Sequence, residues 1–471
     1  MLMRSLLVAF LLAALVFACT KSPTGSPDDT AVDSELSTIY DNPAIPEWSK
    51  TSNIYEVNIR QYTPEGTFSA FAEHLPRLQK MGVDILWFMP IYPISETKRK
   101  GSLGSYYAIS DYTAVNPNFG TPEEFQAVVD EAQELGMHVI LDWVPNHTGW
   151  DHEWIEEHPD YYTQDEEGNI IDPINPETGE SWGWTDVADL NYDNENMRAD
   201  MISAMRFWLD EVGVDGFRVD VAHNVPTDFW EEAVPQLRAS RSDLFLLAEA
   251  EYPPLNNKEL FAMSYGWSFH HLMNQMAKGE ASVADLRVWR EQEAPKWEKG
   301  WLMNFITNHD ENSWNGTIEE RLGDAADAMA VLTFTFEGMP LIYSGQEAAM
   351  DKRLKFFEKD LIEWGDIPKQ DFYTKLLQLK TGHPALWNGT AGAPVVEIET
   401  NLPEDVFAFQ RTQEDRAVMV VLNLSDNAHE VTLAVDDQAG SYTELFSGAQ
   451  VDVPSRWTIS LDPWEYRVLN N

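Results

Sequence analysis

Between residues 53 and 344, short apolar runs alternate with amphipathic stretches. NIYEVNI (53–59) reads as a strand, and in TFSAFAEHLPRLQKMG the positions Phe68, Phe71, Leu75 and Leu78 share one helical face. VDILWFMP (83–90) is an uninterrupted apolar run, as expected of a strand buried on both sides. Phe125, Val128, Val129, Ala132 and Leu135 recur at helical spacing and stop at Gly136, before a further strand, MHVILD (137–142). A helix marked by Met197, Met201, Met205, Trp208 and Leu209 leads into VDGFRVDV; TDFWEEAVPQL is again helical. LFLLAEA (244–250), WLMNFITN (301–308) and MPLIYS (339–344) are strands. Strands separated by helices over this length predict a parallel sheet closed into an α/β barrel of the (β/α)8, or TIM, type.

Two segments break the rhythm. Residues 147–190 form an excursion rich in Trp, Asp and Pro. From about residue 395, VVEIET, VFAFQR, AVMVVLNL, HEVTLAV, SYTELF, WTISL and YRVLN are short strands between turn residues, which predicts a separate antiparallel β-sandwich. TGHPALWNGTAGAP (381–394) joins the two parts, so the expected boundaries are 46–385 for the barrel and 390–471 for the β-domain.

The N-terminus has the layout of a targeting segment. Arg4 precedes LLVAFLLAALVFA, an apolar run too short to span a bilayer, and Cys19 follows. Residues 1–18 are expected to be a signal peptide and Cys19 a lipidation site, since VFAC resembles a bacterial lipobox. An ordinary cleaved signal with an incidental cysteine is the alternative. Residues 19–45, rich in Ser, Thr, Pro and Asp, read as a tether. The expectation is an exported, periplasmic or cell-surface protein that meets the membrane only through an N-terminal lipid anchor. Cys19 is the single cysteine, so no disulfide forms within the chain.

A formal net charge of −46, its acidic residues spread along the chain beyond the N-terminal segment, excludes nucleic acid and anionic headgroups as natural partners and leaves neutral ligands unaffected. Adaptation to high salt is one cause of such acidity; a merely acidic exported protein is the other.

Against that background, four strands end on polar residues: MHVILD on Asp142, VDGFRVD on Asp220, LFLLAE on Glu249, and WLMNFITN on His309-Asp310. In a parallel barrel these ends form the active-site face. Arg218 and Asp220, two apart, point the same way, and the arginine is expected to hold the aspartate ionised as a nucleophile. Glu249, arriving on an apolar strand near other carboxylates, is expected to keep its proton. One charged and one protonated carboxylate about 5–5.5 Å apart is the arrangement of a retaining glycoside hydrolase. Asp310 is then available to favour an oxocarbenium-like transition state. The alternative is a set of buried ion pairs that only fix strand register.

DWVPNH (142–147), GFRVDVAHN (216–224), LLAEAEY (246–252) and FITNHD (305–310) resemble, in order, the four signature regions of the α-amylase family, glycoside hydrolase family thirteen. GSYYAISDYTAVNPNFGT (104–121), DVADLNYDN (186–194) and GMPLIYSGQE (338–347) extend the resemblance over roughly 50–390. It implies catalytic roles for Asp220 (nucleophile), Glu249 (general acid/base) and Asp310 (transition-state stabiliser). Its substrate-binding set would be Tyr107, stacked on the sugar; His147 and His309, hydrogen-bonded to it; Arg218, orienting the nucleophile; and Asp142, organising the site from beneath. The excursion 147–190 corresponds to a short domain B after the third strand. His223-Asn224 stand where many α-amylases carry Lys-His. Asn146 matches a position that often binds calcium, which makes calcium a candidate ion; no redox or organic cofactor is required.

Three further patterns are weaker. DLNYDNEN (189–196) has oxygen ligands at alternate positions but reads as a structural turn. The histidines of DHEWIEEH (151–158) are six apart, not four, which does not suit zinc on a helix. Of Trp143, Trp150, Trp154, Trp182, Trp184 and Trp314, a minority is expected to touch substrate.

The combined expectation is a retaining α-glucan hydrolase of the α-amylase type, cleaving α-1,4 bonds in starch-like chains or maltooligosaccharides. A transglycosylase, an α-glucosidase or cyclodextrin-degrading enzyme, or a non-catalytic glucan-capture lipoprotein are the alternatives.

Overall fold

A computed structural model describes residues 42–175 and 178–471. Cys19, the signal segment and the tether through residue 41 lie outside the described residues. Eight parallel strands close into a barrel: β1 Ile54–Val57, β2 Ile85–Phe88, β3 His138–Trp143, β4 Gly216–Val219, β5 Phe245–Ala248, β6 Met263–Tyr265, β7 Trp301–Asn304 and β8 Met339–Tyr343. Each strand pairs with its sequence neighbours, and β1 closes the ring against β8 through Ile54↔Leu341 and Tyr55↔Ile342. Strand β6 carries no apolar run in the sequence; its three residues are too few for one.

Alternation along these strands decides what lies inside the barrel. Ile54, Ile85, Ile140, Phe245, Leu247, Met263, Met303 and Leu341 belong to the inner apolar cluster, whereas Tyr55, Leu86, Leu141, Phe217 and Leu246 pack outward against the helices. The inward parity of β1, β3 and β4 then delivers Glu56, Asp142 and Arg218 one layer above the apolar residues, each fully buried. Strand β4 can approach β5 so closely only because residue 216 is glycine: a Cβ there would sit 1.9 Å from the Phe245 carbonyl oxygen.

The single helix expected over 68–78 is two, Phe68–Ala72 and Leu75–Met81, because Pro76 can enter only the first turn of a helix. Phe68, Phe71, Leu75 and Leu78 are nonetheless all buried. Residues 147–190 leave the barrel after β3 and are anchored by two antiparallel strands, His147–Gly149 and Val187–Asp189.

Beyond the barrel, a six-stranded and a three-stranded antiparallel sheet make up the C-terminal β-sandwich. Val406, Ala408, Met419 and Val421 of the first share an apolar cluster with Val431, Leu433 and Leu461 of the second. A strand at Gln450–Val453 adds to those expected. The joint is packed, not loose: Asn388 is buried and donates to the carbonyls of Ser49 and Ser52. Residues 42–45, expected in the tether, pack with the barrel among the described residues: Ala44 is buried, and the following Trp48 stacks on His138 with ring centroids 3.8 Å apart.

Candidate active site

Asp220 directly follows β4, its N–H donating to the Trp143 carbonyl at 2.8 Å; Glu249 directly follows β5, its N–H on the Val219 carbonyl at 2.9 Å. Between them lies the buried Arg218. Its Nη1 donates to Asp142 Oδ1 at 2.8 Å and to Asp220 Oδ1 at 2.9 Å, its Nη2 lies 3.0 Å from Glu249 Oε2, and its Nε donates to the Tyr265 hydroxyl at 3.2 Å. One guanidinium therefore serves three carboxylates. The Val221 N–H completes the cluster, donating to Glu249 Oε2 at 2.8 Å. That donation comes from a backbone with φ of 36°, a region a β-branched residue rarely visits, so the turn after the nucleophile candidate is strained.

The electrostatics correct one expectation. Burial raises the Asp220 carboxyl above its ordinary range, and Arg218 offsets this only partly. A single positive charge is divided among three carboxylates and cannot hold all of them ionised in a desolvated layer. Burial likewise raises Glu249, with Arg218 opposing and Asp220 adding to the rise, and it pushes Asp142 up to about 7. The expected upward shift of Glu249 is present. The selective lowering of Asp220 is not.

A cavity of about 440 Å³ opens over this cluster, in the range of small-ligand sites. Asp220, Glu249, Asp310, Tyr107, His147 and His309 all line it. Asp142 and Arg218, expected to bind substrate, do not: both side chains are wholly buried behind the cavity, because they belong to the barrel's interior layer. Their contact with the site runs through Asp220, Glu249 and Tyr107. Burial lowers the His147 imidazole to about 4, leaving it neutral, and its ring centroid lies 5.9 Å from that of Trp184.

Several contributors were not singled out from the sequence. Glu56 on β1 meets His309 Nδ1 at 2.5 Å; the Trp87 indole and the Tyr107 hydroxyl donate to Asp142 Oδ2 at 3.2 and 3.0 Å. Tyr107 lies nearly parallel to Phe356, with centroids 6.1 Å apart. Lys100, on the loop after β2, forms a 2.7 Å ion pair with Asp186 of the excursion at the cavity rim. The alternation Ile54, Glu56 in NIYEVNI was the available signal for Glu56; nothing local marks Lys100 or Asp186.

The weaker patterns are absorbed by structure. Asn146 places its amide against His147 Nδ1 at 3.2 Å, and no group of three or more His, Cys, Asp or Glu gathers at metal-binding spacing among the described residues. Among the described residues, calcium therefore finds no cluster of three carboxylates beside Asn146. Asn194 caps the helix Glu195–Phe207 through the N–H groups of Asn196 and Met197. His152 and His158 pack on Trp154 and Tyr161. Trp184 and Trp314 line the cavity; Trp143 and Trp154 are core residues. His223 is exposed.

A closed α/β barrel with paired carboxylates at its carboxyl-terminal mouth defines a class, the barrel enzymes that act on glycosidic bonds. Comparison narrows it: the alpha-amylase catalytic domain profile matches residues 33–375 and the maltogenic amylase C-terminal domain profile residues 398–468, so the chain belongs to the α-amylase family. The α-amylase MalA of Haloarcula japonica is 30% identical over 426 residues, covering 87% of this chain and 60% of its own. An alpha-1,4-glucan:maltose-1-phosphate maltosyltransferase of Corynebacterium pseudotuberculosis is 27% identical over 444 residues, covering 84% of this chain and 63% of its own. This chain thus spans about three fifths of the length of both. The crystal structure of the maltogenic α-amylase AmyB from Thermotoga neapolitana superposes with a TM-score of 0.79 at 28% identity, over 90% of this chain and 99% of that one.

Proposed function

We propose that this protein is a retaining α-glucan hydrolase that cleaves α-1,4-glucosidic bonds in starch-like chains or maltooligosaccharides. The observation that carries the reading is the placement of Asp220 and Glu249 against one guanidinium, both open to the same cavity. Glu249, which burial favours in its acid form, gives its proton to the glycosidic oxygen as that bond breaks. Asp220 attacks the anomeric carbon and forms the glycosyl ester. Substrate binding displaces water and leaves Arg218 to stabilise whichever carboxylate is charged. Once Glu249 has lost its proton, it takes one from water, whose oxygen displaces Asp220 and restores the original anomeric configuration. Asp310 faces the sugar where positive charge develops.

The cavity's charge favours neutral glucans over phosphorylated sugars. Lys100 is the one lysine or arginine lining it among the described residues, and Asp186 neutralises it. An anionic phosphate would meet the site's carboxylates with no free cation to receive it. The N-terminal reading belongs to the same proposal: export and lipidation at Cys19 would place the enzyme at a membrane surface. Metabolic labelling with a fatty acid, lost in Cys19→Ser, tests it.

Incubation with soluble starch, pullulan, cyclodextrins and maltoheptaose, with anomeric NMR of the first products, tests the catalytic reading. Shorter α-anomeric maltooligosaccharides are expected. Products longer than maltoheptaose would identify a transferase, glucose alone an exo-acting glucosidase, and no turnover a capture protein.

A further inference from the structure

We propose that Glu56 is a positioning residue for catalysis: it accepts from His309 Nδ1 and holds the imidazole doubly protonated, with Nε2 aimed into the cavity. The inference rests on the reading above only in taking His309 as a sugar-contacting group.

With Glu56 and Asp142 ionised, the hydrogen-bond geometry places two protons on the ring. Glu56 Oε1 lies 2.5 Å from His309 Nδ1, and a carboxylate at that distance accepts. At the other nitrogen, Tyr107 Oη lies 2.8 Å from His309 Nε2 and 3.0 Å from Asp142 Oδ2. Tyr107 has one hydroxyl proton. Once Asp142 is ionised, its Oδ2 accepts that proton, and Nε2 then donates to the phenol oxygen. Asp310 Oδ2, 3.4 Å from the same nitrogen, favours that assignment.

Glu56 itself has little other reason to be charged where it is. It is fully buried on β1, and its second oxygen has no hydrogen-bond partner among the described residues. A carboxylate so placed is costly unless compensated, and His309 is its direct partner. Burial raises the Glu56 carboxyl and His309 pulls it back down.

The groups around His309 come from the whole ring of strands. Glu56 lies on β1, Tyr107 on the loop after β2, Asp142 on β3, Arg218 on β4, Glu249 after β5 and Asp310 beside His309 itself. Tyr265 on β6 and Tyr343 on β8 feel the Glu56 charge. Burial and Arg218 oppose a charged imidazole; Asp310 and Glu56 overcome them and lift His309 to about 9. Removing Glu56 deletes one of the two opposing carboxylates and its charged acceptor at Nδ1, which leaves Asp310 alone against burial and Arg218. A neutral ring has one N–H and cannot donate at Nδ1 and at Nε2 together.

The test compares the parent with Glu56→Gln. Histidine NMR of 13C-labelled protein, with the His309 signal assigned by its loss in His309→Gln, needs no substrate and stands whatever the enzyme's true reaction. A midpoint near 9 is expected in the parent, falling by more than one pH unit in Glu56→Gln. Taken as the parent-to-variant ratio of kcat/KM, in which the Glu249 ionisation common to both cancels, the loss of activity should be larger at pH 8 than at pH 6. Should Glu56→Gln fail to fold, Glu56→Asp, with its longer reach to Nδ1, is expected to shift the His309 midpoint and this ratio in the same direction by a smaller amount. A His309 midpoint unmoved by either variant, or a loss of activity equal at pH 6 and pH 8, overturns the proposal.

Discussion

Asp220 and Glu249 lean on the same guanidinium: the terminal nitrogens of Arg218 reach their nearest oxygens at 2.9 and 3.0 Å. Each carboxylate therefore competes for one charge, and a proton held by either one leaves the larger share to the other. This coupling makes the two residues' mutational signatures different, although they are neighbours.

Glu249→Gln should cost roughly 10²–10⁴-fold in kcat/KM on maltooligosaccharides, the range of general acid catalysis. On a maltosyl fluoride, whose leaving group needs no proton, the first step should be largely spared. Steady-state kinetics on both substrates check this; equal losses on the two would remove Glu249 from the acid role.

At the rim, Lys100→Ala should destabilise the fold measurably, because Lys100 is partly exposed but its partner Asp186 is buried and would be left without its cation. Its effect on catalysis should fall on the product pattern. The pair ties the loop after β2 to the excursion beside the cavity, and releasing it should shift the chain lengths cut from maltoheptaose. An unchanged product ladder would mean that the bridge lies outside the path of the glucan.

Gly216→Ala should destabilise by roughly 3 kcal/mol or more, since the new methyl would overlap the Phe245 carbonyl and force β4 away from β5. Urea denaturation, or failure to recover soluble protein, checks this. A variant as stable as the parent would show that the barrel yields more readily than its close strand approach suggests.

Acid stability has a sign that can be worked out for His152. Burial lowers its imidazole to about 4 in the fold, below the unfolded value of about 6.5. Between those values the unfolded chain binds the extra proton, so stability contributed by this group is present above pH 6.5 and lost as pH falls toward 4. The loss is roughly 3 kcal/mol at most. His152→Gln should flatten the fall of the urea midpoint over that window, and a slope equal to the parent's would assign the acid sensitivity to other groups.

The barrel was legible because most of its strands are apolar runs bounded by turns, and VDILWFMP or LFLLAEA has no other comfortable home than a doubly covered sheet. Met263–Tyr265 is short, and no pattern can accumulate in three residues. The three carboxylates were legible as polar residues at strand ends. What escaped was long-range: Glu249 meets Arg218 across 31 positions, Lys100 meets Asp186 across 86, and Glu56 meets His309 across 253. The charge state of Asp220 escaped for the same reason, since a local arginine suggested a lowered carboxyl while the surrounding barrel raises it.

The most direct test of the central claim is to trap the glycosyl ester. A fluorinated maltosyl fluoride, slow in its second step, should label the enzyme stoichiometrically, and mass spectrometry of the digest should place the added sugar on the peptide containing Asp220. Label on another carboxylate, or turnover of the reagent with inversion and no labelled peptide, would contradict the account.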